Sequence, residues 1–180
     1  MVEPRTHKPP LVITEHDHVQ GGAAAPVTLV EYGDFECPYS REAVKTVQVL
    51  QREFGRDLRF VFRHFPLAAK HPHAIQAAEA AEGAAAQGKF WAMYTTLFIH
   101  QWELEYGDLM DYARQLELDQ SRFGEALIEH RYLDRVRADV ATGRQHEVSG
   151  TPTFFVNDHR QDGDDDVRAL AAAIRNVLSS

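Results

Sequence analysis

The chain is short of cysteine, of positive charge and of long apolar runs, and each shortage removes a class of function. Cys37 is its one cysteine in 180 residues. A single sulfur excludes an internal disulfide and favours a reducing compartment, because secreted chains use cysteines in pairs. Lys and Arg number 19 against 27 Asp and Glu, a net charge of −8. That balance argues against general binding to nucleic acid or anionic membranes, which needs a basic surface. No apolar run reaches the roughly 18 residues of a membrane span. Residues 1–20 lack the apolar centre of a signal peptide, so the chain reads as cytoplasmic, and a removed export signal is also compatible. No internal repeat is visible. Gly21 and Gly22 follow no strand that would make them a phosphate loop.

What is present is ordinary globular composition, 44% hydrophobic and 26% charged, in a length that suits one domain with a real core. Residues 1–26 read as a tail and short linker, with "LVIT" at 11–14 either a short strand or a surface segment. "VTLVEYGDF" at 27–35 is β-branched and aromatic, and its near-continuous apolar start suits a strand buried on both faces. The period then changes: Ala43, Val47, Leu50 and Phe54 form a helical stripe, with Pro38 in the first turn and Gly55 as the stop. "LRFVFRHF" at 58–65 is a second buried strand, so residues 27–66 predict a parallel βαβ unit. Residues 72–147 read as almost wholly helical. "TPTFFVND" at 151–158 predicts a third strand, followed by an Asp162–Gly163 turn, a possible edge strand and an amphipathic helix from Val167 to Leu178. The expected architecture is α/β: a βαβ half at 27–66, an all-helical insert at 67–147, and a ββα half at 148–180.

Cys37 lies where the strand period ends and the helix period begins. A helix start presents unpaired N–H groups and the positive end of the helix dipole, and both favour a thiolate, the form that acts as nucleophile. The bland reading of a lone cysteine is a buried, inert one. The strand–Cys–Pro–helix context, with Asp34, Glu36 and Tyr39 around it, favours a reactive one.

On these residues the chain resembles the DsbA-like branch of the thioredoxin superfamily, whose site reads Cys-Pro-Tyr-Cys. "DHVQG" at 17–21, "VTLVEYGDFECPY" at 27–39, "RFVFRHFPL" at 59–67, "QGKFW" at 87–91 and "VSGTPTFFVN" at 148–157 carry the likeness, in order and at matching distances. The resemblance implies a thioredoxin fold with a helical insert. It implies that Cys37 is the attacking cysteine and that Pro152 follows a cis peptide bond opposite it. Thr151 would then offer its backbone to an extended substrate, alongside Pro38 and Tyr39. Glu31 matches the acidic residue beneath the site, where a carboxylate can shuttle a proton to the leaving sulfur. Without the resemblance, 150–152 would read as a turn and Glu31 as a solvent-facing or edge residue.

The departure is Ser40, which stands where the family has its resolving cysteine. A dithiol site attacks with one sulfur and releases its product with the second. A hydroxyl forms no disulfide, so Cys37 stops at a mixed disulfide until an external thiol resolves it. The leading expectation is therefore monothiol exchange with protein or peptide thiols and disulfides. No bound cofactor is expected, and glutathione or another small thiol would be co-substrate. Three alternatives stand beside it: a dithiol enzyme whose resolving cysteine was replaced by Ser40, a redox-silent peptide-binding module, and a kappa-type glutathione transferase or isomerase. The last uses a serine at the position of Cys37. Ser40 lies one turn from Cys37, and its hydroxyl could bond either to the thiolate or to the backbone.

Ten histidines invite a metal reading. "EHDH" at 15–18 and "HPH" at 71–73 lack the cysteine spacing common in zinc sites, so no metal is expected. The acids at 162 and 164–166 lack calcium-loop spacing and read as a turn capping the last helix. Phe90, Trp91, Tyr94, Phe98 and Trp102 recur at helical spacing and are expected to pack as core.

Overall fold

The computed structural model describes residues 10–162 and 166–180. Its centre is strand β2, Val27–Gly33, every residue of which is buried. That is why its sequence runs apolar rather than alternating. Strand β3, Leu58–His64, lies beside it in parallel, from Val27 opposite Leu58 to Gly33 opposite His64. The link between them is helix α1, Pro38–Phe54, and a short turn at Gly55–Asp57. Gly55 takes φ 50° at the helix end, a conformation that favours glycine.

Strand β1, His18–Gln20, pairs antiparallel with β3 on one side. Strand β4, Thr153–Val156, pairs antiparallel with β2 on the other, and β5, His159–Arg160, closes the edge. The sheet order is β1-β3-β2-β4-β5. Helices α2 (Ala74–Ala85), α3 (Phe90–Ile99), α4 (Tyr106–Gln115), α5 (Gln120–Ile128) and α6 (Leu133–Gln145) lie between β3 and β4, and α7 (Val167–Leu178) ends the chain. This is the expected thioredoxin-fold order with a helical insert.

Alternation along β2 divides the core. Val27 and Leu29 join a large cluster with α1, α7 and helices α2 to α5. Val30 and Tyr32 face the opposite side, with Val61, Phe65, Val148 and Phe155. On that second face α6 comes very close at Gly143, where a β-carbon would sit 2.8 Å from the Phe65 ring and 3.1 Å from Tyr32.

Two local expectations change. Residues 11–14 form no strand; the edge strand is at 18–20 instead, held by its ladder with β3. Trp102 is 73% exposed and Trp91 only partly buried, so the core takes Phe90, Tyr94 and Phe98 from the aromatic stripe but not all five residues. The acidic turn at 162–166 falls largely outside the described residues; Asp166 does cap α7, accepting from Ala169 N at 2.8 Å. Residues 1–9 of the tail and Gly163 of the Asp162–Gly163 turn also lie outside them.

Candidate active site

Cys37 is the N-cap of α1, with extended backbone (φ −78°, ψ 120°). Its N–H donates to the Asp34 carbonyl at 3.1 Å, and its own carbonyl accepts from Arg41 N at 3.1 Å. Pro38 follows at the first helical position, where its missing N–H costs nothing. No side chain caps the helix and no acid occupies its first turn. Cys37 thus stands at the end of the helix where the first-turn amides lack intrahelical partners.

The thiol donates to the Thr151 carbonyl at 3.3 Å across 114 residues of sequence. The Thr151–Pro152 bond is cis. Thr153, next along, starts β4, which pairs with β2 through Tyr32. The sheet thus brings the end of β2 and the start of β4 together, and with them Cys37 and Pro152. Cys37 is 3% exposed, whereas Tyr39 is 72% exposed.

Ser40 is fully buried, and its oxygen accepts from Asp34 N at 3.2 Å. Of the two expected arrangements, the hydroxyl takes the backbone one. Glu31 is also fully buried, which removes the solvent-facing reading. It shares the face of β2 that carries Val27 and Leu29, under α1. Its carboxylate leans along the strand toward the site, since a β-carbon on Gly33 would meet Glu31 Oε1 at 2.9 Å. Burial, then the Glu31 charge, push the Tyr94 hydroxyl well above its ordinary pKa.

Sequence reasoning missed four partners of this turn. Asp34 accepts from Glu36 N, Leu67 N and His71 Nδ1, each at 2.8 Å. Glu36 accepts from His73 N at 2.7 Å and its Nδ1 at 3.0 Å. Two acids spaced by two residues thus meet two histidines spaced by two, and they lash the entry to α2 onto the cysteine turn. The matched spacing of "DFE" and "HPH" was the available signal. Gln101 is buried and donates from Nε2 to the carbonyls of both Phe35 and Cys37 at 2.8 Å. A lone glutamine between helices gives no such signal.

Among the described residues, one trio brings possible metal-ligand atoms within 4.8 Å of one another: His18, His64 and Glu82. Both imidazoles bond through Nε2 to the same Glu82 oxygen, at 2.7 and 2.8 Å, and Arg135 Nε lies 3.9 Å from it. The carboxylate is already satisfied and a cation already stands nearby. This arrangement ties β1, β3 and α2 together.

Comparison with known proteins agrees with this geometry. The thioredoxin family model matches residues 13–176. A curated relative, the Na(+)/H(+) antiporter NhaA 1 of Salinispora arenicola, is 48% identical over 165 residues, 92% of this chain. The match covers 25% of that protein, so the chain spans about a quarter of the length of such relatives. Among solved structures, oxidised BdbD of Bacillus subtilis superposes with a TM-score of 0.84 at 25% identity, covering 92% of this chain and 94% of that one. A thioredoxin-like oxidoreductase of Silicibacter pomeroyi gives 0.82 at 26%, covering 93% and 95%. Wolbachia pipientis alpha-DsbA1 shares the fold, with 0.79 at 17% and 94% of each chain. With a cysteine at the helix start and a cis proline against it, the chain belongs to the thioredoxin family, in its DsbA-like thiol–disulfide oxidoreductase branch.

Proposed function

We propose that this domain carries out thiol–disulfide exchange with one sulfur, that of Cys37, and that an external thiol such as glutathione completes each cycle. The observation that carries this reading is the 3.3 Å contact between Cys37 Sγ and the carbonyl next to the cis proline. The cysteine sits at a helix start and faces a backbone that an extended peptide can pair with.

The Cys37 thiol first gives its proton to solvent. The thiolate attacks one sulfur of a substrate disulfide, forming a mixed disulfide, and the other sulfur leaves as a thiolate and is protonated. The first-turn amides of α1 stabilise charge on Cys37 whenever it is anionic. Glu31, beneath the strand end, supplies or takes the proton of the leaving sulfur. Tyr39, Pro38 and Pro152 bound the substrate, and Thr151 offers it backbone groups. Ser40 cannot expel the product, so a second thiol attacks the mixed disulfide and frees Cys37. One half of the substrate disulfide leaves as a thiol, the other ends joined to the external thiol, and a second equivalent of that thiol completes its reduction. A reducing compartment such as the cytoplasm supplies such thiols in excess.

Incubation with oxidised glutathione and intact-mass measurement tests this. One glutathione adduct is expected, absent in Cys37→Ala and reversed by reduced glutathione. No adduct at neutral pH would overturn the exchange reading. Glutathione conjugation to an electrophile that survives Cys37→Ala would support the kappa-type transferase instead. One observation favours a second reading, a dithiol enzyme in which serine replaced the resolving cysteine. Ser40 occupies a closed slot one turn behind Cys37 and does not face water.

A further inference from the structure

A groove of about 820 Å³ runs between the β3–α2 loop and α6. Its floor and walls are apolar, with Phe65, Leu67, Ile75, Leu133 and Val140 among them. Its rim is basic: Lys70 on one side, Arg137 and Arg144 on the other. The two arginines are seven residues apart on α6, two turns along the same wall, or about 10 Å. Lys70 and Arg144 make no ion pair among the described residues, and Arg137 pairs only with the exposed Asp134 at 3.2 Å. A cationic rim on a chain of net charge −8 is a local exception to the whole.

The groove lies next to the candidate active site, although Cys37, Thr151 and Pro152 do not line it. Leu67 N donates to Asp34, whose carbonyl holds Cys37 N. Ser149, on the facing side, is two residues from Thr151, which receives the Cys37 thiol. We propose that this groove docks the segment flanking the reactive cysteine of a protein substrate, and that this segment is apolar and acidic. The inference rests on the thiol–disulfide reading of Cys37. Apolar side chains of the segment lie on Phe65 and Val140, and its carboxylates meet Lys70, Arg137 and Arg144. Rim charges of this kind act on encounter and selectivity and weaken with salt.

The test uses two ten-residue peptides of equal apolar content, one with four Glu and one with four Lys. Each carries a single cysteine as its mixed disulfide with thionitrobenzoate. Attack by the Cys37 thiolate on the peptide sulfur joins peptide to protein and releases coloured thionitrobenzoate, so each event is counted. At low salt the Glu peptide should react at least tenfold faster than the Lys peptide, and about 0.5 M salt should cut that ratio to below threefold. In Arg137→Glu/Arg144→Glu the ratio should fall to one or invert. Equal rates for the two peptides, or a preference untouched by salt, would overturn the docking proposal while leaving exchange at Cys37 intact. No release from either peptide, nor from the small disulfide of thionitrobenzoate, would instead sink the exchange reading and the groove with it. Equal rates joined to a concentration-dependent dimer, or to binding of phosphatidylserine vesicles, would give the groove to a second copy or to a lipid surface and overturn the proposal.

Discussion

Ser40 differs from cysteine by one atom, and that atom decides whether Cys37 can release its own product. The slot is closed, and Ser40 Oγ accepts from Asp34 N. Ser40→Cys should therefore cost about 1 kcal/mol through a weakened hydrogen bond and leave the fold in place. It should gain what the serine denies: an internal disulfide with Cys37 after treatment with oxidised glutathione. Thiol titration would then find none of the two sulfurs free, and a persistent glutathione adduct with no internal disulfide would contradict this. Glu31→Gln keeps shape and removes titration, so exchange should slow by tenfold or more, the scale of a lost acid–base group. Equal rates from pH 5 to 8 would remove Glu31 from proton transfer. The candidate reactive residues, Glu31, Cys37 and Ser40, were legible in ten consecutive letters. Thr151, 114 positions away, was legible only through the family resemblance, and Gln101, 64 positions away, was not legible at all, because only the closed fold makes it a neighbour.

Between elements, one buried electrostatic joint is the Glu82 carboxylate of α2, shared by His18 of β1 and His64 of β3. Burial alone would push Glu82 up, but hydrogen bonds and charge from the two histidines hold it well below the ordinary carboxylate range. Asp17 is likewise opposed by burial and lowered by Arg63, which grips it through Nε at 2.7 Å and Nη2 at 2.9 Å. A depressed carboxylate binds its proton more weakly in the folded state. Its stabilisation is thus complete above the unfolded value, 4.5 for Glu82, and is lost as pH falls below it. The urea midpoint should be flat in this respect above about pH 5 and fall toward pH 3, with Glu82 contributing on the order of 2 kcal/mol. In Glu82→Gln the acid slope should be shallower, and a slope identical to that of the parent would refute the role. Strands β2 and β3 were legible as continuous apolar runs because both faces are buried, and helices α1 and α7 from hydrophobic period because each buries one face. Strand β1 was misplaced because three residues at a sheet edge have no period of their own. Its place is set by pairing with β3, and His18 fixes it there by reaching α2.

The larger of the two apolar clusters crosses the boundary between the βαβ half and the helical insert. Val27, Leu29, Phe60 and Phe62 of the sheet share it with Ala77 and Ala81 of α2, Met93 and Leu97 of α3, Leu109 of α4 and Phe123 of α5. Phe35, at the foot of the cysteine turn, packs on Phe62 at 5.3 Å and on Phe98 at 4.9 Å. A helical layer sharing its core with the sheet cannot melt first without exposing the sheet's own apolar face, so the parts should unfold together. Helix loss by far-UV circular dichroism, loss of aromatic packing by near-UV, and alkylation of the buried Cys37 should then share one urea midpoint. Cys37 ties the third probe to function, because Gln101, just beyond α3, holds the Cys37 carbonyl, and α7 and β4 close the opposite side. A far-UV transition preceding the other two would show that the insert is a separate unit and that Cys37 keeps its setting without it. Coincident curves would mean that the reactive turn exists only in the complete fold, built by residues from both halves and from the helices between them.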